Sequence, residues 1–393
     1  MEKISNLKLN ADILNIVAAI DEFKGEWKSL KKMQADILTH LKKVATIESV
    51  GSSNRIEGNK LSDSDIEELL SNLKTTKFKN RDEEEVAGYA DLSNLIFDDY
   101  EIIPFNENYI KQMHSILLKY SSKDERHRGE YKTLPNSVAA FDESVKEIGV
   151  IFETATPFDT PRLMKELITW TNDNLNNKTL HPIITIAIFV VNFLAIHPFQ
   201  DGNGRMSRAL TNLLLLKNGY TYVSYSSLEA VIEDNKSAYY LALRHTQATL
   251  KDEDPNYDFW INFFVKALEK QKIRLEYKLL HIDDVNTKVN NTNITNSKEI
   301  KNAMSKNETL QNGKASIDLN SLPETAVAIL QLFDKTDRIN INYIKENIDN
   351  KECNSESKIK RALILLQQKN IIKKYGTTKG SWYVICISKA QSS

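Results

Sequence analysis

The sequence predicts a mainly α-helical protein: a helical bundle with one small β-hairpin, followed by a C-terminal winged helix. Three observations carry this. Apolar residues recur at three- and four-residue spacing over most of the first 282 residues. The β-prone pieces there are confined to one Gly- and Pro-punctuated stretch. The end of the chain reads as three amphipathic helices and a β-hairpin, the order of a winged helix. At 393 residues the chain exceeds the size at which one core stops growing. The expected divisions are a helical N-terminal region over 1–100, a larger helical domain over 101–282, a linker over 283–321 and a winged helix over 322–393.

Taken in order, Ile13, Ile16, Val17 and Ile20, then Leu30, Met33, Ile37, Leu38 and Leu41, predict two helices from Ala11 to about Val50. Gly51 to Lys60 reads as a short polar stretch, and Ser64 with Glu67 as a capping box opening the next helix. Further helices are expected from Glu83 to Ile96 and from Asn108 to Leu118. Ser137-Val138-Ala139 and Ile148 to Phe152 predict the hairpin, with a turn near Asp142-Glu143-Ser144. Thr160-Pro161 reads as an N-cap and first helical residue. Asp283 to Asn320 is crowded with Asn, Lys, Ser and Thr and is too polar to bury a core. Amphipathic segments return at Glu324 to Phe333, Ile341 to Ile348 and Glu356 to Lys369, before the β-prone 371–375 and 381–385.

The composition, 41% hydrophobic and 27% charged, is that of a globular protein. A net charge of −1 creates no global field toward nucleic acid or an anionic membrane. Cys353 and Cys386 are the two cysteines and form no CxxC pair, which fits a reducing cytoplasm. The apolar run Ile183 to Ile196 is shorter than the ~20 residues of a bilayer span and reads as a buried helix. No membrane association is expected.

The chemistry concentrates at His197-Pro198-Phe199-Gln200-Asp201-Gly202-Asn203-Gly204-Arg205-Met206-Ser207-Arg208. Pro198 stops the preceding helix and leaves His197 at its exposed end, suited to accept a proton. Two glycines within Asp201 to Arg205, just before an apolar helix, let backbone N–H groups converge on an anion. Arg205 and Arg208, three apart, can fork onto phosphate oxygens. Asp201 is a single hard oxygen ligand of the kind that holds Mg²⁺ beside phosphates. Phosphoryl or nucleotidyl transfer follows from these residue types.

The same twelve residues resemble the Fic family motif, H-P-F-x-(D/E)-G-N-G-R-x-x-R, with every specified position matched, and the likeness extends over roughly residues 50 to 280. The resemblance implies a Fic-type helical bundle that transfers AMP from ATP to a Ser, Thr or Tyr hydroxyl of a target protein, which can be the chain itself. It implies His197 as the base, Asp201 as the Mg²⁺ ligand, and Gly202, Asn203 and Gly204 as the phosphate cradle, with Asn203 also offering its side-chain amide. Arg205 and Arg208 would bind the β- and γ-phosphates. Upstream, Ser53-Asn54-Arg55-Ile56-Glu57-Gly58 is similar to the family's inhibitory pattern, (S/T)-x-x-x-E-(G/N), in which Glu57 would pair with Arg208. Helix capping or a surface charge is the plain alternative. Tyr239 and Tyr240 resemble the adenine-pocket segment, against simple core packing. Gly149, Val150, Ile151 and Phe152 resemble the target-docking flap.

Of seven histidines only His197 has a chemical setting; His40, His114, His181, His245 and His281 sit in helical patterns and His127 in a basic loop. Lys358, Lys360, Arg361, Lys373, Lys374 and Lys379 could meet DNA phosphates, against a solvated face on a protein-docking module. The expected function is therefore a protein adenylyltransferase using ATP and Mg²⁺ and restrained by Glu57. The alternatives are removal of AMP by the same site, an ATP-sensing DNA-binding regulator, and transfer of phosphate. An oligomer is compatible with all of these.

Overall fold

Helix α7, Pro182–Ile196, is apolar all round, and nearly all of its side chains are buried. Such a helix is stable only when other elements enclose it. In the computed structural model α6 (Thr160–Asn177), α8 (Asn203–Lys217), α10 (Lys236–Thr249) and α11 (Asp258–Leu280) pack against it. The residues described are 7, 9–30, 35–72, 77–141, 147–280, 323–332, 339–348, 359, 362, 363, 366, 372–375 and 382–385. The chain divides into a unit Met1–Thr292 and a unit Asn293–Ser393.

In the first unit α1 (Ala11–Leu30) lies on α11, and α2 (Ala35–Ile56) on α4 (Arg81–Asp99) and α9 (Leu228–Asp234). Helix α4 also contacts α5 (Glu107–Leu117) and α8. A short 3₁₀ turn spans Thr221–Tyr225. One apolar core runs through the unit, anchored by fully buried Trp27, Trp260, Tyr89, Phe193 and Phe199.

The stretch 51–60 differs from expectation. Helix α2 continues through Gly51 to Ile56, because Ser52, Ser53 and Asn54 are buried there. Gly51 allows a close approach: a Cβ would come within 2.8 Å of Asp63 Oδ1 and 3.1 Å of Ile66 Cδ1 on α3 (Asp63–Ser71). The capping box is real but two residues earlier than read: Ser62 caps α3 and Asp65 returns the bond. The N-cap of α6 is Asp159, while the Thr160 hydroxyl donates to Thr156 O.

Strands β1 (Ser137–Phe141) and β2 (Glu147–Glu153) pair antiparallel, with irregular register at Val138/Ala139 and Ala140/Phe141. The turn residues Asp142, Glu143 and Ser144 lie outside the described residues. In the second unit helices Glu324–Leu332 and Ile341–Asn347 share a small core with Ile359, Leu363, Leu366 and Tyr383. Strands β3 (Ile372–Tyr375) and β4 (Trp382–Ile385) pair antiparallel, and Ile339 bridges to Tyr383. The linker, most of the expected helix Glu356 to Lys369, both cysteines, His281, and Lys358, Lys360, Arg361 and Lys379 lie outside the described residues. Of Lys373 and Lys374 only the backbone is described. Among the described residues no helix is long and apolar enough to cross a membrane.

Candidate active site

The chain leaves α7 through His197, which takes a left-handed conformation (φ 53°, ψ 60°) and returns its N–H to Phe193 O at 2.8 Å. Pro198 cannot continue the helix. The imidazole folds back so that Nδ1–H donates to Leu194 O at 3.2 Å. Nε2 is then the nitrogen that keeps a lone pair. Burial lowers the His197 pKa to about 4; the Leu194 carbonyl opposes this and the Lys132 charge reinforces it. The ring is therefore a neutral base at neutral pH.

Gly202 (φ 77°) opens α8 in the left-handed region that glycine tolerates. The first-turn N–H groups of Asn203, Gly204 and Arg205 have no acceptor within the helix, the arrangement that receives an anion. The side-chain amide of Asn203 is engaged elsewhere. Its Oδ1 accepts from Phe199 N–H at 2.9 Å and its Nδ2 donates to Phe199 O at 2.7 Å. The amide thus staples the loop, where the expectation had it reaching phosphate, and its backbone N–H at the start of α8 is the donor left over.

Arg205 and Arg208 are both buried, 2% and 4% exposed, but they have separate partners. Arg208 Nε donates to Ser53 Oγ at 2.9 Å, and its Nη2 donates to Ser53 O at 2.8 Å and to Glu57 Oε1 at 2.7 Å. Its Nη1 is buried without a hydrogen-bond acceptor among the described residues, as are Nε and Nη1 of Arg205. Unsatisfied guanidinium N–H groups beside a helix N-terminus suit an anionic guest. Arg205 Nη1 stands 3.3 Å from Glu85 Oε2, and its Nη2 3.8 Å from Asp201 Oδ1.

Glu57 follows the last turn of α2, with about a third of its side chain exposed at 35%. Burial works against its charge, yet the guanidinium of Arg208 overrides this, aided by Arg205 and His197, and holds the carboxyl below its ordinary pKa. The charges of Arg205 and Arg208 and the ring of His197 all act on Glu57, and Glu57 acts in turn on His197. The carboxylate lies directly on Gly204, where an added Cβ would overlap it. Burial likewise opposes the charge of Asp201, but Arg205, the Gly202 N–H and Arg81 bring its pKa below the usual range. Its Oδ2 pairs with Arg81 Nη2 at 2.7 Å, and Arg81 Nε reaches Glu85 Oε1 at 2.6 Å. No group of three or more His, Cys, Asp or Glu able to hold a metal exists among the described residues.

Tyr239 and Tyr240 separate in role. Tyr239 is 3% exposed and packs on Trp260 at 5.7 Å between ring centroids, and it also lines a small cavity with Ser207 and Arg208. Tyr240 is 36% exposed, and its hydroxyl donates to Ile56 O at 3.5 Å, next to Glu57. Gly149, Val150, Ile151 and Phe152 lie on β2, with Gly149 opposite Ala140, Val150 opposite Ala139 and Phe152 opposite Val138.

Two further residues hold the loop and had no signal in the sequence. His114 read only as part of a helical pattern, yet it is fully buried and stacks on Phe199 at 3.8 Å. Its Nδ1 accepts from Gly129 N–H at 2.9 Å, so Nε2–H donates to Asp201 O at 3.0 Å. Burial lowers its pKa to about 4, with the Asp201 carbonyl opposing. Lys132 is 2% exposed and its Nζ donates to Ile196 O at 3.0 Å, beside His197.

Comparison with known proteins places this geometry. The Fic/DOC family model matches residues 104–215. A probable protein adenylyltransferase of Aquifex aeolicus is 34% identical over 90 residues, 23% of this chain and 27% of that protein. A protein adenylyltransferase Fic of Drosophila mojavensis is 25% identical over 248 residues, 62% of this chain and 46% of that protein. The chain thus spans less than half the length of these curated relatives. A Fic-domain signalling protein of Bacteroides thetaiotaomicron is similar in fold, with a TM-score of 0.51 and 25% identity over 65% of this chain and 93% of that one. A Fic family protein of Desulfovibrio desulfuricans aligns over 96% of this chain and 97% of its own, with a TM-score of 0.55 and 19% identity. With the complete motif inside the matched region, residues 104–215 are a Fic/DOC domain.

Proposed function

We propose that the protein transfers AMP from ATP to a hydroxyl side chain of a protein and that Glu57 restrains it. The observation that carries the reading is the 2.7 Å pair between Glu57 and Arg208, set against Gly204 at the mouth of the cradle. While paired, Arg208 has no freedom to grip a terminal phosphate, and the carboxylate fills space that a polyphosphate needs. When Glu57 withdraws, Arg208 and the first-turn N–H groups of α8 are left to bind and orient the phosphates. His197 Nε2 then takes the proton of the incoming hydroxyl, whose oxygen bonds to the α-phosphorus of ATP as the bond to pyrophosphate breaks and pyrophosphate leaves. The outer edge of the β1–β2 pair is the docking strand for the target.

Mg²⁺ is compatible with the donor set. Asp201 is a lone carboxylate beside the cradle, and Mg²⁺ takes one or two protein carboxylates and completes its shell from phosphates and water. Asp201 would hold the ion, which when bound neutralises phosphate charge. Arg81 must release Asp201 for this.

The winged-helix reading of 322–393 and its contact with DNA or a protein remain part of the proposal, supported by the order of helices and strands in the second unit. Against an ATP sensor stands the neutral base at His197, which sensing does not require.

The test is mass spectrometry of the full chain and a lysate after incubation with ATP and Mg²⁺. Glu57→Gly should gain AMP on hydroxyl residues well above wild type, and His197→Ala in that background should abolish it. Gain of phosphate instead of AMP, or equal labelling with and without Glu57, would overturn the corresponding half of the proposal.

A further inference from the structure

Lys132 presents a chemical oddity. It is an ammonium group, 2% exposed, and its three donors go to three neutral acceptors: Asn136 Oδ1 at 2.8 Å, Thr154 Oγ1 at 2.9 Å and Ile196 O at 3.0 Å. Those acceptors belong to different parts of the molecule. Asn136 immediately precedes β1 and Thr154 immediately follows β2, so they are the two legs of the hairpin stem. Ile196 is the last residue of α7, next to His197.

Around this cation the same segment is bound to the catalytic loop at every step. Lys132 N–H donates to Pro198 O at 2.8 Å. Asn136 Nδ2 donates to Phe199 O at 2.9 Å and reaches His197 O at 3.5 Å. Thr154 Oγ1 also donates to Asn136 O at 2.7 Å.

We propose that Lys132 is a positioning residue that locks the β1–β2 hairpin in register with His197, so that a strand docked on the hairpin presents its hydroxyl to the base. Naming the hairpin as the docking edge rests on the transferase reading above; the lock itself does not.

A neutral side chain with fewer donors would not hold all three elements at once. Fold stability is not what the charge serves. Burial moves its pKa down to about 8, with no carboxylate offsetting it. Because the folded value lies below that of an unfolded lysine, the protonated group works against folding at neutral pH. The charge also reaches the base: Lys132 favours neutral His197, while Glu57 and Asp201 favour the imidazolium.

The test uses the full chain without nucleotide or target, so failure of the transferase reading does not affect it. Hydrogen exchange by mass spectrometry and the titration of ¹³C-labelled His197 are compared in wild type and Lys132→Met. The expected result is exchange faster by about tenfold in residues 137–141 and 147–153, as loss of a buried charged donor implies. Protection in α4, α7 and α8 should be unchanged, and the His197 titration should move upward. Lys132→Arg, which keeps charge and donors, should restore most of the hairpin protection. Wild-type exchange in the Met variant would overturn the proposal. So would loosening spread equally over α7 and α8, or failure of Lys132→Met to fold, either of which would make Lys132 a general core residue.

Discussion

The carboxylate of Glu57 lies against the bare Cα of Gly204, so close that a methyl group there would overlap Oε1 and stand 2.8 Å from Cδ. Gly204 therefore defines a space that holds one anionic group at a time. A Gly204→Ala substitution displaces Glu57 from Arg208 but leaves the methyl in the way of any phosphate. On the proposed reading its expected phenotype is loss of the Glu57–Arg208 pair without gain of AMP transfer, in contrast to Glu57→Gly. Side-by-side self-labelling with ATP measures this, and an activated Gly204→Ala protein would show that phosphate does not need that space.

Ser53 is the second hold on Arg208. Its buried hydroxyl accepts from Nε at 2.9 Å while its carbonyl accepts from Nη2 at 2.8 Å. Ser53→Ala removes only the first and leaves a buried guanidinium N–H unpaired, at a cost of about 1–3 kcal/mol. The urea midpoint should fall accordingly. Self-labelling should rise less than in Glu57→Gly, because Glu57 and the Ser53 carbonyl still hold Arg208. Labelling equal to that of Glu57→Gly would mean that the hydroxyl, rather than the carboxylate, imposes the restraint.

How much of this site was legible follows from where each residue's signal resides. His197, Gly202, Gly204, Arg205 and Arg208 are contiguous and chemically distinctive, and glycine spacing before an apolar helix is a local property. Glu57 was visible because its pattern is also local, although its carrier is the end of a long helix and not the polar stretch that Gly51, Ser52 and Ser53 suggested. His114, Lys132, Arg81 and Glu85 act across 64 to 120 residues of chain. Nothing in the spacing of a helical histidine marks it as the donor to Asp201 O. Tyr239 packs on Trp260 while also bordering Ser207 and Arg208, and a pair of aromatics in sequence does not tell which face each ring takes.

Arg81 pairs with Asp201, and in the proposed reading it competes with Mg²⁺ for that carboxylate. The pair is half exposed, 43% and 36%, so it adds little to stability, about 0–1 kcal/mol. Arg81→Ala should leave thermal unfolding nearly unchanged. In the Glu57→Gly background it should lower the Mg²⁺ concentration that half-saturates nucleotide binding, read by calorimetry with a non-hydrolysable ATP analogue. An unchanged Mg²⁺ requirement would mean that Asp201 does not carry the ion.

Acid should act on the fold through two histidines before it acts on Glu57. Folded His197 and His114 both titrate near about 4, below the roughly 6.5 of an unfolded histidine. The unfolded chain therefore binds protons that the folded chain refuses between these values. Stability present above about pH 6.5 is lost as pH falls toward 4, at about 1.4 kcal/mol per pH unit for each histidine. The stability that the Glu57 carboxyl gains from Arg208 is fully present above its unfolded value and starts to be lost only as pH falls below it, so the Glu57–Arg208 pair persists through mild acid. Urea midpoints measured from pH 7 to 5 should decline on the two-histidine slope. His114→Gln, whose amide can still donate to Asp201 O and accept from Gly129 N–H, should roughly halve it. A slope unchanged by that substitution would show that His114 is not one of the buried neutral rings that set the acid limit.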